Sequence, residues 1–348
     1  MERGLLLDVG RKFWSIDEIK QLIELMAKIG LTHLQLHLSE NEAFRLNLKA
    51  VSTDRMSSVN DRTYSYDDIQ EILKFAHRYK IQVIPDIDAP GHLRALLKNR
   101  QEFALPETEG CALDVTNSLA CEWFLSIIRE CCEWFSECDI FHIGGDEFID
   151  FRRMEDYPYL LSKSREYYGE KASGLEFYVD FVNYIAQYLS LKGKKVRVWN
   201  DGFLRKDLES LSVLTKDVEV CYWTNWDVNM ALVEDWLHEG YRLVNFCDND
   251  LYYVLGENAG YNYPSVEKLV KFADRNKFSG GQILTSEEMK SVSGTYFSVW
   301  ADKAEAKSVS EILNDLAELL PIFVKKYGRF NGKLVEKSGN LSDLSTEF

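Results

Sequence analysis

Short runs of apolar and β-branched residues alternate along this chain with longer stretches whose apolar residues recur every three or four positions, the pattern of strand followed by helix repeated many times. Leu5 to Gly10, Thr32 to Leu38, Gln82 to Asp86 and Ile140 to Ile143 predict four strands. Lys195 to Trp199, Glu219 to Tyr222, Arg242 to Phe246 and Gly294 to Trp300 predict four more. After the first strand, Ser15 and Glu18 have capping-box spacing, and Ile19, Leu22, Ile23, Met26 and Ile29 fall on one helical face. Helices are predicted again from about Tyr66 to Tyr79, from about Asn117 to Phe135, and between strands five, six and seven. Glu257 to Lys290 is less regular and reads as a functional loop with short helices. No Gly-, Ser- or Pro-rich linker divides the chain. Eight βα units therefore predict an α/β single domain, a TIM (β/α)8 barrel over residues 1–348, with a tail from about residue 330.

Such a barrel carries its chemistry where the strands run out into the loops that follow them. Polar and aromatic residues stand at all of those ends: Asp8, His37 with Glu40, Asp86 with Asp88 and His92, Asp146 with Glu147, Trp199 with Asp201, Trp223, Asp248 with Tyr252, and Trp300 with Asp302. Gly144 and Gly145 precede the adjacent acids Asp146 and Glu147, and their missing side chains let backbone and substrate approach closely. Two carboxylates so near each other, one walled by aromatic rings, are expected to differ in pKa, leaving one able to hold a proton for a leaving group. Trp199, Trp223, Trp226 and Trp300 are expected to wall the pocket, with faces suited to stacking on pyranose rings.

With 41 basic and 56 acidic residues the chain carries a formal charge of -15, which disfavours nucleic acid and anionic membranes as partners. Seven cysteines without CxxC spacing suggest neither a disulfide framework nor a zinc site. The N-terminal residues lack the apolar core of a signal peptide, so the expected location is cytoplasmic.

Six segments in order resemble the catalytic domain of family 20 glycoside hydrolases, the β-N-acetylhexosaminidases. They are Arg3 to Val9, His37-Leu-Ser-Glu-Asn41, Ile84-Pro-Asp-Ile-Asp-Ala-Pro-Gly-His92, His142-Ile-Gly-Gly-Asp-Glu147, Val198-Trp-Asn-Asp201 and Ser298-Val-Trp-Ala-Asp302. The resemblance implies exo-hydrolysis of terminal GlcNAc or GalNAc from a glycan, without metal or other cofactor. The nucleophile it implies is the substrate's own 2-acetamido oxygen, which forms an oxazolinium intermediate, an exception to the usual two-carboxylate scheme. It implies Glu147 as acid and base, and Asp146 as the residue that orients the acetamide. Arg3 and Asp302 are expected to bind sugar hydroxyls, and Trp199, Trp223 and Trp300 to close around the ring. Tyr252, with Tyr253 as alternative, is expected to contact the acetamide oxygen. His92 is implied at the substrate site, with Glu40, Asp88, His142 and Asp201 in support.

The chain departs from the family pattern at Glu40-Asn41, where two Asp are usual, and at Val254, where a polar residue is usual; Asp248 and Asp250 are candidate substitutes. Release of a disaccharide such as lacto-N-biose and a non-catalytic carbohydrate-binding barrel remain as alternatives, and a homo-oligomer is compatible with the sequence. A metal-dependent hydrolase using His37, His92, His142 and Asp146 is a further alternative, unsupported by any HxH or HExxH spacing.

Overall fold

The computed structural model describes residues 1–51, 62–256 and 260–327; the expected tail, residues 52–61 and residues 257–259 lie outside the described residues. Seven strands, β1 (Glu2–Asp8), β2 (His33–His37), β3 (Gln82–Asp86), β4 (Ile140–His142), β5 (Lys195–Trp199), β6 (Val218–Tyr222) and β7 (Arg242–Asn245), pair in parallel in sequence order. Three short strands follow, β8 (Tyr252–Val254), β9 (Lys277–Phe278) and β10 (Gln282–Ile283), and then the long β11 (Val292–Trp300). The barrel closes through β11, which pairs with β7 on one side and β1 on the other. The eighth strand of the barrel is therefore the last predicted one.

Helices α1 (Ile16–Ile29), α2 (Tyr66–Arg78), α3 (Arg94–Leu97), α4 (Ser118–Trp134), α5 (Pro158–Tyr168) and α6 (Glu176–Leu191) surround the first half. They are followed by α7 (Val233–His238), α8 (Asp248–Leu251), α9 (Val266–Phe272) and α10 (Val309–Tyr327). Ser15 and Glu18 form the expected capping box, and Ile19, Leu22, Ile23 and Met26 are buried against the sheet. Each such side chain contributes roughly 1.5–3 kcal/mol through its burial. The helix expected between β5 and β6 is absent among the described residues. There, side chains take the backbone donors instead: Glu176 accepts from Leu211 and Asn183 from Thr215, so the segment runs as a pinned loop.

The large apolar core lies between sheet and helices, while a smaller one fills the barrel. Strand alternation explains the division, because Leu5 and Leu7 face the helices and Leu6 the barrel interior. At the N-terminal end the interior is polar. The fully buried Arg197 donates to Glu219 at 2.9 Å, to Glu2 at 2.7 Å and to Tyr296 Oη at 2.8 Å, tying four strands across the barrel. Removing one partner of such a network typically costs about 3–5 kcal/mol, because it leaves a buried charge unmatched.

Candidate active site

At the other end of the barrel the strands deliver a row of ionisable groups. Asp86, on β3, meets Nδ1 of His37 at 2.9 Å and Nδ1 of His142 at 3.2 Å, all three buried. Burial alone would raise the Asp86 carboxyl, but the two imidazoles hold it well below the usual range. His37 faces Glu40 at 3.5 Å, and Glu40 meets Nδ1 of His92 at 3.1 Å and Arg11 at 2.5 Å. Glu40 is likewise held low despite its burial, by His92, His37 and Arg11. The extra methylene of Glu40 thus leaves the pairing with His92 intact. Nε2 of His92 lies 3.6 Å from Asp146 and 3.4 Å from Glu147. Against its burial, Glu40 and Asp146 raise the His92 imidazole well above its ordinary value.

The backbone after β4 is what lets Asp146 and Glu147 share this environment. Gly144, Gly145 and Glu147 all have positive φ, 71°, 95° and 44°. A Cβ on Gly144 would lie 1.5 Å from Asp88 Oδ1, so the glycine is required by contact as well as by conformation. Donor atoms of Asp88, His92 and Asp146 lie within 4.8 Å of one another. Burial and the Asp88 charge raise the Asp146 carboxyl well above its usual range, and burial lifts Asp88 to about 6. Glu147 differs, because the His92 imidazole 3.4 Å away lowers it and its side chain is 53% exposed. Adjacent acids thus occupy opposite electrostatic regimes.

Asp201 fixes the mouth of the site. It accepts from the Glu147 N–H and from the Trp223 indole, both at 2.9 Å, and burial followed by the Asp146 charge lifts it to about 7. Trp199 forms the floor of a cavity of about 230 Å³, with Trp223, Tyr252, Val254, Tyr261 and Trp300 as walls. Arg11, Glu40, His92 and Asp302 complete the polar side of the same cavity.

The sequence profile of the catalytic domain of glycosyl hydrolase family 20 matches residues 2–314. The chain belongs to that family. Lacto-N-biosidase of Bifidobacterium bifidum is 27% identical over 320 residues, covering 90% of this chain and 27% of that protein. The chitooligosaccharidolytic β-N-acetylglucosaminidase of Bombyx mori is 26% identical over 287 residues, 74% of this chain and 46% of that protein. The chain therefore spans between about a quarter and a half of these curated relatives. Among solved structures, dispersin B has a TM-score of 0.75 at 22% identity, covering 94% of this chain and 99% of that one. The β-N-acetylhexosaminidase of Bacteroides fragilis has a TM-score of 0.73 at 19% identity, covering 96% and 67%. These two likenesses concern the fold.

Within this family 20 site, the expectations for Arg3, Tyr253 and Trp226 need correction; Trp226 is exposed and does not line the cavity. Arg3 starts β1 at the N-terminal end of the barrel, where its Nε donates to the Gly30 carbonyl at 2.9 Å; it does not line the cavity. Arg11, just past the C-terminal end of the same strand, occupies the place expected of it, anchored at 2.9 Å to Asp8. Tyr253 is also excluded. The short β8 runs parallel to the end of β11, so Tyr252 and Val254 face the cavity while Tyr253 faces outward and bonds Asp315 on α10. His142 sits behind the cavity, its ring 4.5 Å from that of Trp199. Asp250 is paired with Lys277 at 2.6 Å, and Asp248 reaches the cavity only through Tyr261, 3.3 Å from its carboxylate. Arg11 and Tyr261 were missed by sequence reasoning. Arg11 had a signal, three residues past Asp8, whereas Tyr261 lies in the irregular stretch that no periodicity describes.

Proposed function

We propose that this chain hydrolyses terminal, non-reducing β-linked N-acetylhexosamine from glycans, using the substrate's 2-acetamido oxygen as nucleophile. The observation that carries the reading is the division within one dipeptide: Asp146 lies half-buried in an aromatic-walled cavity beside Asp88, while Glu147 stands exposed at the mouth beside His92.

A retaining enzyme with its own nucleophile sets two carboxyl groups on opposite faces of the sugar. Here the second carboxyl group lies within the cage that would hold the acetamido methyl. Asp146, as the carboxylate, would accept the acetamide N–H and stabilise the positive charge of the oxazolinium, a charge that in turn favours the ionised form of Asp146. Tyr252 would donate to the acetamide oxygen. Substrate entering the cavity displaces water from around Glu147, raising its pKa toward the protonated form needed to assist departure. Once the leaving group has gone, the nearby His92 imidazole favours the carboxylate that activates water. Arg11 and Asp302 would hold the sugar hydroxyls, and a cavity of about 230 Å³ suits one monosaccharide.

The test is hydrolysis of chromogenic β-N-acetylglucosaminide and β-N-acetylgalactosaminide. Glu147→Gln is expected to lower kcat by about 10²–10⁴. Undiminished activity in that variant would overturn the assignment.

A further inference from the structure

A groove of about 1180 Å³ opens at the N-terminal end of the barrel, away from the cavity that holds Asp146. It lies between the first residues of β7 and β11 and the C-terminal ends of α9 and α10. Val270, Ala273, Met289, Val292 and Ile322 make its aliphatic lining. Its charged lining is Arg242, Arg275, Lys290, Lys325 and Lys326, with Asp274 as the one acid among the described residues. That balance is the reverse of the chain's overall charge of -15. We propose that the groove is the docking site of the chain's own residues 338–348, which lie outside the described residues, and that the docked segment clamps the seam where the barrel closes. The inference stands independently of the glycosidase reading.

Chemistry and chain length both point to this occupant. No aromatic ring lines the groove among the described residues, so it lacks the stacking faces that a sugar would use. Aliphatic surface bordered by cations suits an acidic amphipathic peptide. Residues 338–348 have that character: Leu341, Leu344 and Phe348 recur at helical spacing, Asp343 and Glu347 are the charged residues, and there is no Lys or Arg. The chain also leads to the groove, because α10 ends at Tyr327 and its last turn supplies Lys325 and Lys326. Lys326 donates to the Val270 carbonyl at 2.5 Å, and neither lysine is ion-paired among the described residues, so both ammonium groups can meet Asp343 or Glu347. The connection from Tyr327 to residue 338 spans up to about 35 Å, and so short a tether gives an effective concentration on the order of millimolar. The seam is where a clamp acts. β11 meets β7 through three registered pairs, with a shift between Val292 and Gly294, against six pairs with β1, and Val292 itself lines the groove.

The experiment is hydrogen–deuterium exchange on the full chain and on a chain ending at Lys337. Truncation is expected to speed exchange of the backbone amides of residues 266–273 and 288–294 at least about fivefold, while those of β4 stay within about twofold. Asp343→Lys is expected to speed the same groove amides at least about threefold, and adding Lys325→Asp to bring them back within about twofold of the full chain. A barrel weakened in general would show no such rescue, and the charge swap keeps the test decisive should the shortened chain fail to fold. Groove exchange within about twofold of the full chain after truncation, or in Asp343→Lys, would overturn the docking. Groove protection that falls on dilution of the full chain, together with a dimer in sedimentation, would overturn it in favour of docking onto a second copy.

Discussion

Arg3 lies near the start of β1 and Arg11 just past its end, and the direction of that strand separates their consequences. Parallel barrel strands place chemistry at their C-terminal ends, so Arg11 meets the cavity while Arg3 bonds the Gly30 carbonyl at the far end. Arg11→Lys retains charge but loses the guanidinium fork that meets Asp8 and Glu40. It is expected to raise KM or lower kcat/KM by about 10–10²-fold, whereas Arg3→Ala stays within about twofold. Steady-state kinetics on both variants decides this, and equal losses would contradict the placement. The same reading by strand direction was available from the sequence, since Asp8 ends the predicted strand and Arg11 follows it. Resemblance alone drew attention to the wrong arginine. Tyr252 and Tyr253 are a different case. The strand period that separates them belongs to β8, too short and too close to α8 to leave a periodic signal.

At the scale of elements, the turn after β4 concentrates the requirements of the site. Gly144→Ala must fit a Cβ 1.5 Å from Asp88 Oδ1 at φ 71°, two penalties at one atom. It is expected to cost about 3 kcal/mol or more of stability and to lower kcat/KM at least about tenfold by displacing Asp88 and Asp146. Urea denaturation and kinetics measure both, and a variant as stable and active as the wild type would contradict this account of the turn. Repeated elements of this kind were the legible part of the fold. Eight apolar runs became the eight barrel strands because each is buried on both faces, and Ser15 with Glu18 announced a helix start that the structure retains. The β5–β6 segment misled because its helix-compatible residues are held by long-range bonds from Glu176 and Asn183, contacts without a local pattern. Tyr261 was hidden for the same reason.

For the molecule as a whole, the same buried charges set how stability responds to pH. Asp88 and Asp201 are raised from 3.8 to about 6 and about 7, so the native state holds extra protons across that window and their contribution to stability falls as pH rises through it. His37 and His92, raised above 6.5, stabilise fully below that value and lose the effect as pH climbs. Asp86 and Glu40, both lowered, act in the opposite sense and lose their contribution as pH falls below 3.8 and 4.5. Thermal stability is therefore expected to be highest near about pH 4.5 and to drop by on the order of 5 °C by pH 8. A Tm that rises steadily from pH 5 to 8 would contradict these assignments. The central claim, that the nucleophile belongs to the substrate, has a more direct test. It is the ratio of kcat/KM for an aryl β-N-acetylglucosaminide to that for the matching aryl β-glucoside, which differs in carrying a hydroxyl in place of the 2-acetamido group. The account predicts a ratio of at least about 10³, because without the acetamide no oxazolinium can form and Asp146 has nothing to orient. Comparable turnover of the two substrates would contradict it.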